Sequence, residues 1–214
     1  MKNFYKKYMN DKIKLDKWEV VGVLSLVIVL CGIFGWLYEV VFYYLNSGME
    51  TVYLRGANYL PWINIYATGS LLILFFARKF KKKPWLVFLA SVIITGVLEY
   101  FSGYFVLKKT GCTYWDYNTE IWNFLNIDGF ICARSVGIFG VSSLLLMYVI
   151  YPFCLYLAKK MNRKTFLIMS ITLGAIFLFD EFYNLLFARL LNLPRAAEVY
   201  KSLGFKYMDY KCGK

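Results

Sequence analysis

Apolar residues run along this chain in five long blocks separated by short polar stretches: Glu19–Leu45, Pro61–Phe80, Trp85–Leu107, Phe130–Ala158 and Thr165–Leu191. Each block is near or above the roughly 20 residues that a helix needs to cross a bilayer core. The pattern predicts an all-α fold, a polytopic membrane helical bundle of about five transmembrane helices. Residues 1–18 read as a basic amphipathic lead-in with Phe4, Tyr5, Tyr8 and Met9 as apolar anchors. Residues 19–192 form a single transmembrane domain, and 193–214 a basic tail in which a short helix followed by disorder is expected.

The connections are not equivalent. Asn46-Ser47-Gly48 and Arg55-Gly56 are turn signals in the first long one. In residues 108–129, Tyr114, Trp115, Tyr117 and Trp122 are interleaved with Asp116, Asn118, Asn123, Asn126 and Asp128. Aromatic and polar residues mixed in this way suit a membrane–water interface, so an amphipathic segment lying on the outer surface as a cap is expected there.

Composition fixes the class, because 60% hydrophobic and 21% aromatic residues with a mean hydropathy of +0.51 exceed what a soluble domain carries. The net charge of +12 would suit nucleic acid if it were spread over one soluble face, and it is not. Lys2, Lys6, Lys7, Lys12, Lys14 and Lys17 precede the first block, and further basic clusters lie at Arg78–Lys83 and Lys159–Lys164. The intervening connections hold only Arg55 in one and Lys108 with Lys109 in the other. This alternation is the positive-inside pattern: it predicts a plasma-membrane protein with a cytoplasmic N-terminus, its basic face against anionic inner-leaflet lipids and not against nucleic acid. Arg195, Lys201, Lys206, Lys211 and Lys214 run against it. Either the tail is tolerated outside, or the last block is re-entrant.

The chain has no histidine, which excludes histidine triads and histidine-ligated metals. Its five cysteines show no metal spacing; Cys112 and Cys132 are close enough to one predicted surface for a disulfide, and small buried side chains are the alternative. No cofactor, metal site or catalytic group is expected from these patterns.

Four acids inside the apolar blocks carry the functional argument: Glu39, Glu99, Asp180 and Glu181. Ionisable groups at membrane depth are costly and by default mark a site or a specific partner. At about 1.5 Å per residue, Glu99 and Asp180 fall roughly 21–22 Å from the cytoplasmic face and Glu39 roughly 28 Å. Arg134 falls about 6 Å below the outer surface on the same scale, and is the expected partner of Glu39 or Glu99. Asn184 follows Asp180 and Glu181 at helical spacing. Any one such pair could serve only to fix helix register. A surplus of acids over arginines must be protonated, hydrated or neutralised by something bound.

Several motifs in order resemble a known family: Gly35-Trp36-Leu37-Tyr38-Glu39, Arg55-Gly56, Pro61-Trp62, Tyr66-Ala67-Thr68-Gly69, Leu98-Glu99-Tyr100, Trp115-Asp116-Tyr117 and Asn126-Ile127-Asp128-Gly129. The chain is similar over roughly residues 20–160 to the CmpB-like family of small multi-pass membrane proteins labelled type IV ABC-transporters, common in Gram-positive anaerobes. It departs from the family pattern at Phe130, where related chains tend to carry arginine; Arg134 lies one turn further on the same face. The resemblance implies transport. With no GxxxxGK[ST] phosphate loop, ATP-driven function requires a separate ATPase subunit docking on the basic loops.

The leading expectation is a permease-like transport or binding module for a cationic or zwitterionic small molecule or lipid headgroup. Its expected ligand-binding residues are Glu39, Glu99, Arg134, Asp180, Glu181, Trp36, Tyr66, Tyr100, Trp115, Asp116 and Asn184, with the aromatic rings offering cation–π faces. A membrane-embedded lipid enzyme using Glu99 with Asp116 or Glu39 as paired carboxylates is one alternative, although no nucleophile motif supports it. A non-catalytic partner subunit of a membrane complex is the other.

Overall fold

A computed structural model describes residues 2–207 and 211–212. The apolar blocks fold as helices, and the helix starts follow local chemistry. After a short N-terminal helix α1 (Lys2–Met9), the long helix α2 (Lys17–Asn46) opens on a capping box. Asp16 Oδ1 accepts from the Glu19 amide at 2.9 Å, and the Glu19 carboxylate accepts from the Asp16 amide at 2.9 Å. Helix α4 (Pro84–Thr110) has proline in its first turn and stops at Gly111, whose φ of 66° suits a residue without a Cβ. Among the described residues, helices α5 (Ala133–Lys160) and α6 (Arg163–Leu190) complete a set of four that are long and apolar enough to cross a membrane.

The second apolar block behaves differently. Only Asn64–Ala77 forms helix α3, followed by one tight turn at Arg78–Phe80. Its 14 residues span roughly 21 Å, short of a bilayer core. The residues before it are not helical: 56–61 bend, with Leu60 41% exposed, and Trp62 and Ile63 next to the helix are buried. The Ile63 amide donates to the Gly32 carbonyl at 3.1 Å, which places the start of α3 about halfway along α2. Non-helical backbone at such depth is tolerated only where protein or a water-lined cavity satisfies it.

All the basic clusters gather at one end of the bundle. Lys159 meets Glu19, Arg163 meets Asp16, and Arg78 and Lys81 both meet Asp11. Tyr8 of α1 is buried there and donates to the Met147 carbonyl at 2.8 Å, so the lead-in packs into the core. Connections 47–63 and 111–132 and the tail share the opposite end, called here the loop end. The last block is not cut short, because α6 runs 28 residues to that end.

Close helix contacts use small residues, as expected where apolar helices must approach. A Cβ on Gly35 of α2 would lie 2.2 Å from the Tyr66 ring of α3, and one on Gly174 of α6 would lie 2.7 Å from Ser25. The tail forms the expected short helix, α7 (Ala196–Ser202), and then pairs back onto the loops. The Leu54 amide donates to the Lys206 carbonyl at 2.9 Å, and strand β2 (Lys211–Cys212) lies antiparallel to β1 (Cys112–Thr113). Disorder does not follow α7 directly; residues 208–210 and 213–214, where that expectation also falls, lie outside the described residues. Cys112 is disulfide-bonded, whereas Cys132 is a free, buried thiol, so the two are not joined.

Candidate functional site

Glu39, Glu99, Asp180 and Glu181 all lie toward the loop end, but they divide into two groups with different tasks. Asp180 and Glu181 hold the bent, non-helical segment that leads into α3. Asp180 accepts the Tyr59 amide at 3.0 Å and the Leu60 amide at 2.9 Å. Glu181 accepts Asn58 Nδ2 at 2.7 Å and Asn64 Nδ2 at 3.1 Å. Immediately after them α6 widens into a π-helical turn, Tyr183–Phe187, a kind of irregularity common at functional positions. Within that turn Asn184 donates to the Asp180 side chain and carbonyl, each at 2.9 Å, and accepts the Ala196 amide at 2.8 Å. Two carboxylates and one amide thus replace the hydrogen bonds that a longer α3 would have made internally.

Glu39 and Glu99 belong to an ionic cluster under the 111–132 loop. Glu39 pairs with Arg55 at 2.7 Å and accepts Tyr66 Oη at 3.3 Å. Arg134 does not pair with Glu39 or Glu99, as the sequence suggests; it pairs with Glu120 at 2.7 Å. Its guanidinium also lies 3.8 Å from the Phe42 ring centroid and donates to Tyr38 Oη at 3.4 Å. Tyr43 donates to the other Glu120 oxygen. Glu99 accepts Tyr117 Oη at 2.7 Å through one oxygen, while its other oxygen is buried without a hydrogen-bond partner. Burial lowers the proton affinity of Arg55, but Glu39 beside it, together with Tyr43 and Glu120, outweighs that effect and holds the guanidinium above its ordinary value. Burial raises the Glu120 carboxyl, against the pull of Tyr43 and Arg134.

Glu120 and Arg55 are the site residues that sequence reasoning misses as partners. Arg55 stands out in the sequence as part of a turn signal, as the one basic residue of its connection and as part of a family motif, none of which gives it a partner. Glu120 is the one glutamate of a loop already full of polar residues, so nothing local marks it as buried. Gly56 follows Arg55 at a φ of 109°, and a Cβ there would come within 2.7 Å of the Trp62 carbonyl. Only glycine allows that turn without displacing the neighbouring backbone.

Because α3 is short, a cavity of about 400 Å³ remains beyond its first turn, between α4 and α6. Of the expected site residues, Glu39, Glu181, Asn184 and Trp115 line it, together with Arg55, Asn64, Tyr114 and Arg195. A second space of about 30 Å³ is lined by Glu39, Tyr66, Glu99, Trp115 and Arg134. Glu39, Arg55, Ile65 and Trp115 border both spaces. Asp180, Tyr100, Asp116 and Trp36 line neither. Tyr100 donates to Asp128 at 3.0 Å, and Asp116 accepts from Asn118 within the loop. Phe130, where the related chains carry arginine, is buried with its ring against Gly103 and Tyr100.

The sequence family described as "Putative ABC-transporter type IV" matches residues 26–185. The chain belongs to this family. The match takes in Glu39, Glu99, Asp180 and Glu181 and extends beyond the resemblance into α6, ending within the π-helical turn at Leu185. The family's name places the chain among ABC-transporter-related membrane proteins, in agreement with its four long apolar helices. No curated protein and no solved structure matches the chain.

Proposed function

We propose that this chain is a transport or binding module that takes a zwitterionic small molecule or lipid headgroup into the space beyond α3. One observation carries the reading. Glu181 lines a cavity of about 400 Å³ and is bonded only to neutral amides, with no cation at ion-pair distance among the described residues. That volume is within the range of small-ligand sites. An ammonium group would be held by Glu181, with Tyr114 and Trp115 offering aromatic faces. The anionic end of the same ligand would face the start of α3, which no side chain caps, and Arg195. A broken helix whose first turn points at an anionic group is a recurrent device in transporters. Leu98, Phe105 and Val106 of α4 would cover an alkyl portion.

In this reading the basic end lies in the cytoplasm, on the positive-inside rule, and the cavity belongs to the opposite half of the bilayer. ATP-driven transport would use a separate ATPase subunit seated on the basic turns around Lys81 and Lys159.

The test is retention of lipid by protein reconstituted with phosphatidylethanolamine and phosphatidylglycerol, then read by native mass spectrometry. Preferential retention of phosphatidylethanolamine, reduced about tenfold in Glu181→Gln, is expected; tenfold corresponds to about 1.4 kcal/mol. Equal retention of the two lipids, unchanged in the variant, would remove the headgroup assignment.

A further inference from the structure

The ionic cluster under the 111–132 loop does not balance. Glu39, Glu99 and Glu120 face Arg55 and Arg134 around the small space, three carboxylates against two guanidiniums. Both guanidiniums are already committed, Arg55 to Glu39 and Arg134 to Glu120. The other polar groups facing Glu99 are neutral: Tyr38 and Tyr43 from α2, Tyr66 from α3, Tyr117 from the loop and Ser135 from α5. Two buried polar atoms of this cluster, Glu99 Oε2 and Arg134 Nε, have no hydrogen-bond partner among the described residues, and both residues line a space of about 30 Å³. That is room for one water molecule.

We infer that Glu99 is an exchangeable proton-binding site, the proton residing on Oε2 and donating to a single water in the small space. The proton cancels the surplus charge, and the water accepts from both Glu99 and Arg134 Nε, so both orphaned atoms are satisfied. Exchange with bulk solvent runs through the larger cavity, because Glu39 and Arg55 form the partition between the two spaces. Tyr66, on the small-space side, is hydrogen-bonded to Glu39 of that partition. Loading and unloading of this proton gives a membrane protein a means of coupling to a proton gradient that does not depend on which ligand the larger cavity takes.

Infrared difference spectroscopy on the full chain in lipid nanodiscs, with no ligand added, tests the inference. A protonated-carboxyl band that is lost on raising the pH is expected. It should vanish in Glu99→Gln, whose amide can still accept from Tyr117, and remain in Glu181→Gln. Tyr117→Phe, which keeps Glu99 and removes its hydroxyl donor, should shift the band without abolishing it. A band intact in Glu99→Gln, or no such band in the folded wild type, would overturn the inference. So would a band removed by sodium at constant pH, which would give the balancing charge to a metal cation. Failure of the lipid-retention experiment leaves this band unaffected, so the two readings fail separately.

Discussion

The two ends of the bundle solve the same electrostatic problem in opposite ways. At the basic end each ion pair among the described residues has an exposed member: the Asp11 side chain is 61% exposed, Asp16 43% and Lys159 37%, so that the buried Lys81 and Glu19 each meet a partner that reaches solvent. At the loop end the pairs are buried, with Arg55 and Glu39 at 9% and 15%, and Arg134 and Glu120 at 9% and 3%. Surface pairs contribute little and can be lost one at a time. Buried pairs repay their desolvation only while both partners remain, so the loop end is a unit in which each charge depends on another. A membrane protein has no need of that arrangement for topology, which the lysines alone can set. The costly end is where chemistry is to be sought.

The sharpest way to break the contrast is to remove one buried partner. Arg134→Leu should destabilise the fold by about 3–5 kcal/mol through the stranded Glu120, read by thermal unfolding in detergent. Replacing Arg134 and Glu120 together by apolar residues should recover most of that loss. Gly35→Ala comes next, since its Cβ would strike the Tyr66 ring; a loss of about 1–3 kcal/mol is expected, with disturbance of α2 against α3. Asp180→Ala should cost about 1–3 kcal/mol by leaving the Tyr59 and Leu60 amides unsatisfied, and proteolysis within 55–63 should rise. The smallest effect belongs to the exposed pair at the basic end, where Arg163→Gln should leave the unfolding temperature almost unchanged.

Acid separates the ends by sign. Hydrogen bonding to Lys81 and to Arg163 lowers Asp11 and Asp16 from their ordinary value of 3.8. Their contribution is present above that value and is lost as pH falls through the lowered folded values. Glu120 is raised above 4.5, chiefly by burial, so its contribution is fully present below 4.5 and is lost as pH rises through the folded value. Fluorine-labelled tryptophan should show this: on acidification the Trp18 signal, beside Asp16, should change first, while Trp115 holds.

Much of the fold was legible because bilayer-length apolar blocks and lysine placement are local signals. The boundaries of α2, α4, α5 and α6 follow the blocks to within a few residues. Helix α3 was not legible in the same way. Pro61, Trp62 and Ile63 are as apolar as a helix start, and hydropathy does not distinguish an apolar non-helical segment from a spanning helix. The polar pair Asn58 and Asn64 was the available sign that backbone there needed partners. Helical depth grouped Glu39, Glu99, Arg134 and Asp180 toward one end, where the structure also has them. It could not reveal who pairs with whom, because Glu120 and Arg55 come from loops whose path depends on the whole bundle.

The central claim, that the shortness of α3 leaves a ligand space rather than a packing defect, is most directly tested by a high-resolution structure in zwitterionic lipid. The account predicts a bound headgroup or small zwitterion beyond α3, its cationic end at Glu181 and its anionic end at the first turn of the helix. A closed, dry interior in which Leu98, Phe105 and Trp115 fill that volume and Glu181 touches only Asn58 and Asn64 would contradict it.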